Sequence, residues 1–201
     1  MIRDNALVAA GLINRKIGGP SVKPYQPTGL WVEKTGPGSA YKADSGDKLY
    51  RRSMYTFIRR TTPHPAMIAF DATNRSVCVV KREKTNTPLQ ALVLLNDPQF
   101  VEAARVLAQR VLDETAGDIN EQVRHAFRLA CGRNPNPQEL NVLVSQFQNA
   151  VKRFGDEPES ANAFLGVGEY AKSEKLDSSE VAAMTMVTNT ILNFDEAYTK
   201  R

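Results

Sequence analysis

The chain has 201 residues, 42% hydrophobic and 24% charged, with a formal net charge of +4. That length and composition suit one globular domain, or one domain with appendages, able to bury a core. Two cysteines exclude a disulfide framework and a cysteine-based metal site, and no apolar run reaches membrane-spanning length.

The layout of charge says more than its sum. Residues 42–84 hold ten Lys and Arg against four Asp and Glu, and residues 85–201 hold eleven against sixteen. A basic front therefore precedes an acidic back. Either the two attract each other, or the basic part faces an anionic partner.

Residues 2–14 read as a helix, with Ile2, Ala6, Ala9, Ala10 and Ile13 on one face. The chain opens in helical register, without the basic start, apolar run and small-residue cleavage site of a signal peptide. A piece cut from something longer is expected to begin this way. "GGPSVKPYQPTGLWVEKTGPGSAYKADSG" follows, with Gly and Pro throughout, and cannot sustain regular structure. Tyr25, Leu30, Trp31 and Val32 predict that it is an ordered loop laid on the surface. The expected division is an N-terminal helix and loop over 1–44 and a helical domain over 45–201.

"DKLYRRSMYTFIRRTTPHP" places Tyr50, Met54, Phe57 and Ile58 at helical spacing, which predicts a helix that stops before Pro63; Tyr55 and Phe57 would also suit a strand. "PAMIAFDA" predicts one or two helical turns starting at Pro65. "SVCVVKRE" is the best short strand or extended segment, carrying Val77, Val79 and Val80.

In "TNTPLQALVLLNDPQF", Thr87 can cap a helix and Pro88 can take its first position. Leu89, Leu92, Val93, Leu94 and Leu95 make that helix apolar nearly all round, so burial is expected. Asn96 and Asp97 break it, Asp97 caps a second helix, and Pro98 again comes first. The second helix runs to about Glu114. Asp118 can cap the next, with Gly132 as its stop. Asn136, Pro137 and Glu139 form a capping-box start for a long helix ending near Gly155. "PESANAFLGVG" suggests one short helix, and Asp177 with Glu180 opens the last long one. The sum is a mainly α, irregular helical domain of about five to seven helices, with a long Gly/Pro-rich loop and at most a minor strand element.

No complete catalytic motif is present. His64 and His125 are isolated and make a poor metal or triad case. No CxxCH motif occurs, so no haem is attached covalently here, and "GVGEYAKS" is too short for a phosphate loop. Cys78 and Cys131 are expected as small buried apolar residues, with a bridge between them left open. The strongest polar signal is the cluster Arg51, Arg52, Arg59, Arg60, Arg75, Lys81, Arg82 and Lys84. Guanidinium forks suit carboxylate and phosphate. Tyr50, Tyr55 and Phe57 interleave with it, so a nucleic-acid surface is a candidate, although no recognition module accompanies it. Asp71 in "FDATNR" and Asp97 in "LLNDP" are acids in apolar surroundings. They serve as caps or arginine partners, or as a carboxylate pair for acid–base chemistry.

"NRKIGGPSVKPYQP", "YRRSMYTFIRRTTPHPAMIAFDATNRSVCVVKREKTNTPLQALVLLNDPQFVEAARVLAQRVL", "RLACGRNPNPQEL" and "NTILNFDEAYTK" together resemble the planctomycete-specific C-terminal domain family of unknown function. The resemblance spans nearly the whole chain, and its central block is the most specific part. It implies a C-terminal fragment of an exported protein, in the periplasm or at the cell surface, beside a cytochrome c-like domain. Haem would then sit in that separate domain, with no cofactor in this chain. It supplies no activity. The first expectation is a non-catalytic helical interaction or structural module of such a protein, its arginines used mainly inside it as ties between the front segment and the acidic helices. The alternative is part of an extracellular enzyme or binding module acting on anionic polysaccharide, with arginines holding the anionic groups and Asp71 or Asp97 as acid or base. Nucleic acid is the least supported partner, and no residue pattern decides whether the chain is an enzyme.

Overall fold

The structure is a computed structural model, and it describes residues 1–27, 29–30, 40–73, 75, 77–81, 85–115 and 117–198. Trp31, Val32, Arg82 and Lys84 lie outside the described residues. The protein is mainly helical, with nine α-helices among the described residues, seven of them eight residues or longer, and no sheet. None of these helices is long and apolar enough to cross a membrane. Two compact units are formed, one from Met1–Ile13 with Leu94–Arg201 and one from Asn14–Val93.

The first unit holds α1 (Ile2–Ala10), α4 (Pro98–Glu114), α5 (Ile119–Cys131), α6 (Pro137–Asp156), α7 (Pro158–Leu165), α8 (Ser178–Leu192) and α9 (Asp195–Tyr198). Helix α8 is its axis. It packs against α4, α5, α6 and α7, and buries Val181, Ala182, Ala183, Met184, Val187, Ile191 and Leu192. Small residues let α4 approach closely, since Ala103, Ala104 and Ala108 are fully buried. The buried Thr188 hydroxyl donates to the Ala104 carbonyl at 2.8 Å, so the polar group at this contact is satisfied across the helix pair. Each large aliphatic side chain buried here stabilises by about 1.5–3 kcal/mol.

Helix starts follow local chemistry. Asn136 accepts from the Glu139 N–H at 2.9 Å, and Glu139 Oε2 accepts from the Asn136 N–H at 2.7 Å. This reciprocal box satisfies two donors at the start of α6. Asp177 accepts from the N–H groups of Ser179 and Glu180 and opens α8. Gly132 ends α5 at φ 74°, a left-handed conformation that suits glycine.

The second unit is built differently. It contains two 3-10 turns (Gly46–Lys48 and Ser53–Tyr55), α2 (Pro65–Ala69) and most of α3 (Pro88–Asn96). The irregular segment 14–22, a strap, pairs with residues 50–57 through two isolated parallel bridges, Asn14 with Arg51 and Val22 with Thr56. Val22 donates to the Tyr55 carbonyl at 2.8 Å and accepts from the Phe57 N–H at 2.7 Å. These bonds overturn the helix expected from Tyr50, Met54, Phe57 and Ile58. The backbone groups that a helix would satisfy internally bond to the strap instead.

Two further expectations are corrected. Residues 77–81 form no strand, and Val77, Cys78, Val79 and Val80 are exposed, so Cys78 is not a buried apolar residue. Nor is α3 buried all round. Leu94 and Gln90 are buried, whereas Leu89, Leu92 and Leu95 are exposed on a face at i, i+3, i+6. Composition measured the apolar content of α3 correctly but not which of its faces would be buried.

Candidate functional site

The arginines expected to bind are used in two ways. Arg51 is buried, 5% exposed, and its guanidinium donates to the carbonyls of Pro20 (2.8 Å), Gly18 (2.6 Å) and Lys16 (3.2 Å). The ring of Tyr55 lies 3.8 Å from its Cζ. Gly18 and Gly19 have φ of 78° and 90°, a turn that aims the strap carbonyls at one cation. Arg51 is therefore an internal brace, although its partners are backbone carbonyls of the strap. Arg59 is half-buried and its carbonyl accepts from the Thr62 N–H. Arg52 is exposed where the second 3-10 turn begins.

Arg60 and Arg75 are exposed and line one hollow of about 510 Å³, with Gly19, Ser21, Tyr55, Thr56 and Phe57 among its walls. Neither guanidinium has an acid partner among the described residues. Arg75 has φ 57°, so its backbone is held in a conformation that non-glycine residues rarely adopt. Thr56 is 5% exposed, and its hydroxyl has no hydrogen-bond partner among the described residues.

Asp71 and Asp97 serve different elements. Asp71, at φ 56°, accepts from the Thr85 N–H at 2.8 Å and from the Thr85 hydroxyl at 2.8 and 3.0 Å. Gln90 adds to this knot, donating to Thr85 Oγ1 at 3.0 Å and to the Ala69 carbonyl at 2.9 Å. The "FDATNR" and "TNTPLQ" segments thus meet at the root of the loop that carries Arg75. The Thr85 N–H, then its hydroxyl, hold the Asp71 carboxyl below its ordinary value, against a smaller effect of desolvation. A carboxylate so engaged is a poor base and a poorer acid at neutral pH. Thr87 donates its N–H to Gln90 Oε1 at 3.4 Å at the start of α3, where Pro88 is the first residue. Asp97 stands extended between Asn96 and Pro98 and accepts from the Gln99 N–H at 3.0 Å.

The histidines are also engaged. His64 is buried, with Nε2 at 2.6 Å from the Tyr25 carbonyl, and His125 Nε2 lies 2.8 Å from Glu114 Oε2. Among the described residues no three His, Cys, Asp or Glu side chains gather as metal ligands would. Both cysteines are free. Burial, aided by Glu196, pushes the Cys131 thiol up to about 11.

Two arrangements in the first unit had no clear sequence signal. Glu102 and Arg105 are 0% and 1% exposed on α4. Glu102 accepts from the Tyr170 N–H at 2.7 Å, and Arg105 donates to the carbonyls of Tyr170 (2.6 Å) and Val167 (3.3 Å). The "GVGEY" turn is thereby clasped by a buried pair 4.0 Å apart. Arg133 likewise grips both Glu139 oxygens at 2.7 and 2.8 Å, reaches Glu196 at 3.1 Å, and lies over the Phe127 ring. The "GRNPNPQEL" segment is thus a brace linking the end of α5, the start of α6 and α9.

The fold and these ties define a mainly helical protein whose polar motifs mostly fix the backbone. The chain belongs to the family described as PSD1, protein of unknown function (DUF1553), whose model matches residues 1–147. The expected likeness over nearly the whole chain is narrower here, since "NTILNFDEAYTK" lies beyond that match. No curated protein matches the chain, and no solved structure does.

Proposed function

We propose that the chain is a non-catalytic helical interaction module of an exported multidomain protein, working beside a cytochrome c-like domain that carries the haem. The carrying observation is the Asp71–Thr85 tie. Asp71, one of the two acids the sequence offered for acid–base work, accepts from both the N–H and the hydroxyl of Thr85 and closes a loop. Asp97, His64 and Arg51 are engaged in the same manner. The export and the haem neighbour rest on the family resemblance alone. Calorimetric titration of this chain against the haem domain of the full-length protein tests the reading. Saturable association is expected. Absence of association, together with turnover of a sulfated polysaccharide that Asp71→Asn abolishes, would replace it with the enzyme reading.

One observation favours a second reading, binding of anionic polysaccharide. Arg60 and Arg75 line a single hollow, with no carboxylate partner among the described residues.

A further inference from the structure

The hollow lined by Arg60 and Arg75 is large enough for a sugar-sized ligand, within the lower half of the usual range of about 300–1,000 Å³ for small-molecule sites. It belongs to the unit over residues 14–93, whose sequence holds fourteen Lys and Arg against five Asp and Glu. Two of those acids are engaged by the backbone. Asp44 accepts from the Lys23 N–H at 2.7 Å and Asp71 from that of Thr85 at 2.8 Å. The unit carries a formal excess of positive charge, which raises the local concentration of anions.

We infer that this hollow is a binding site for a sulfate- or carboxylate-bearing sugar unit of a polyanionic glycan, with the forks of Arg60 and Arg75 on the anionic groups. The inference rests on the second reading above and names its residues and ligand chemistry. An arginine fork matches the two oxygens of a carboxylate or sulfate. Ser21 supplies a hydroxyl at the wall, and Met54 supplies exposed apolar surface for the C–H face of a sugar ring. Nucleic acid fits less well. Base stacking needs open aromatic faces. Here Tyr55 already lies under Arg51 (3.8 Å), and Lys23 lies over Phe57 (5.6 Å).

The test measures binding of a chondroitin sulfate hexasaccharide, its desulfated and carboxyl-reduced counterpart, and single-stranded DNA of equal charge. It uses the wild-type chain, Arg60→Gln, Arg75→Gln and the double variant. Arg52→Gln is the control, since Arg52 is exposed in the same unit but outside the hollow. Each variant's melting temperature is recorded, and Arg60→Lys separates the fork from the bare charge. The expected result is loss of about tenfold in affinity for each hollow variant, equivalent to about 1.4 kcal/mol, with Arg52→Gln changing it less than threefold. The neutral oligosaccharide should not bind, and the DNA should bind more weakly than the sulfated sugar. Sulfated-sugar binding that Arg52→Gln weakens as much as Arg60→Gln sinks the hollow but leaves polysaccharide binding standing. No binding of the sulfated sugar at all ends both. Equal or tighter binding of DNA overturns the ligand class.

Discussion

Arg51 donates to the carbonyl of Gly18 at 2.6 Å, across thirty-three residues of sequence. Together with its bonds to Lys16 and Pro20, this makes one guanidinium the anchor of the strap. Arg51→Ala should cost about 3 kcal/mol, because charge-assisted bonds to buried carbonyls are worth about 1.5–3 kcal/mol each and do not add fully. Arg51→Lys should recover little, since a single ammonium cannot reproduce the planar fork. Denaturant unfolding of both variants checks this. A loss under 0.5 kcal/mol for the alanine variant would show that the strap is held by other means.

Asp97→Ala should destabilise by about 0.5–2 kcal/mol, and Asp97→Ser by much less, because the serine hydroxyl still accepts from the first turn of α4. The corner has a second tie that Asp97 does not supply. Asn189 on α8 donates to the carbonyl of Leu95 at 3.1 Å. Asn189→Ala combined with Asp97→Ala should therefore cost about the sum of the two single losses, because they satisfy different helix ends. Urea unfolding of the cycle decides it.

Gly168→Ala should be among the most damaging small substitutions. The residue sits at φ 90°, and a Cβ there would fall 2.4 Å from the Glu102 carboxylate carbon. Strain and displacement of a buried acid together predict a loss on the order of 3 kcal/mol. Arg105→Ala, which strands the Glu102 charge, should cost about 3–5 kcal/mol. If thermal melting of Gly168→Ala matched wild type, the clasp as described would be wrong.

The loop root should loosen in acid. Asp71 is held below its ordinary value of 3.8, so its tie is fully present above that value and is lost as pH falls through and below it. Limited proteolysis at Arg75 and Lys81 by an acid-tolerant protease should accelerate below about pH 4, and Asp71→Ala should show the fast rate at pH 7. Asp71→Asn should stay near wild type at neutral pH, since Asn accepts from the same N–H and tolerates the left-handed backbone. Equal cleavage of wild type and Asp71→Ala would remove the tie from the account.

The helices of the first unit were readable because their ends carry their own chemistry. Asn136 with Glu139, Asp97 with Pro98, and Asp177 each satisfy nearby backbone groups, and such partners lie within the reading window. The second unit was not readable in the same way. Arg51 is bonded to carbonyls, which every residue has, so no residue pattern marks its partners. The apolar spacing of Tyr50, Met54, Phe57 and Ile58 fits a helix, yet Met54 and Phe57 are exposed and the backbone pairs with the strap. Glu102 and Arg105 stand three residues apart, a spacing common on solvated helix faces, and the loop that covers them makes them core residues. Of the hollow, Arg60 and Arg75 were legible as cations. Their meeting place was not, because Ser21, Thr56 and Arg75 come together only through the folded strap and loop.

The two free thiols differ sharply in their surroundings. Cys131 keeps its proton, pushed up to about 11 by burial, while Cys78 is exposed on the same loop that carries Arg75. A thiol-reactive dye should therefore label the native chain at one position without any engineering. That label would stand three residues from a wall of the hollow, where its fluorescence can report the arrival of a ligand at Arg75 directly.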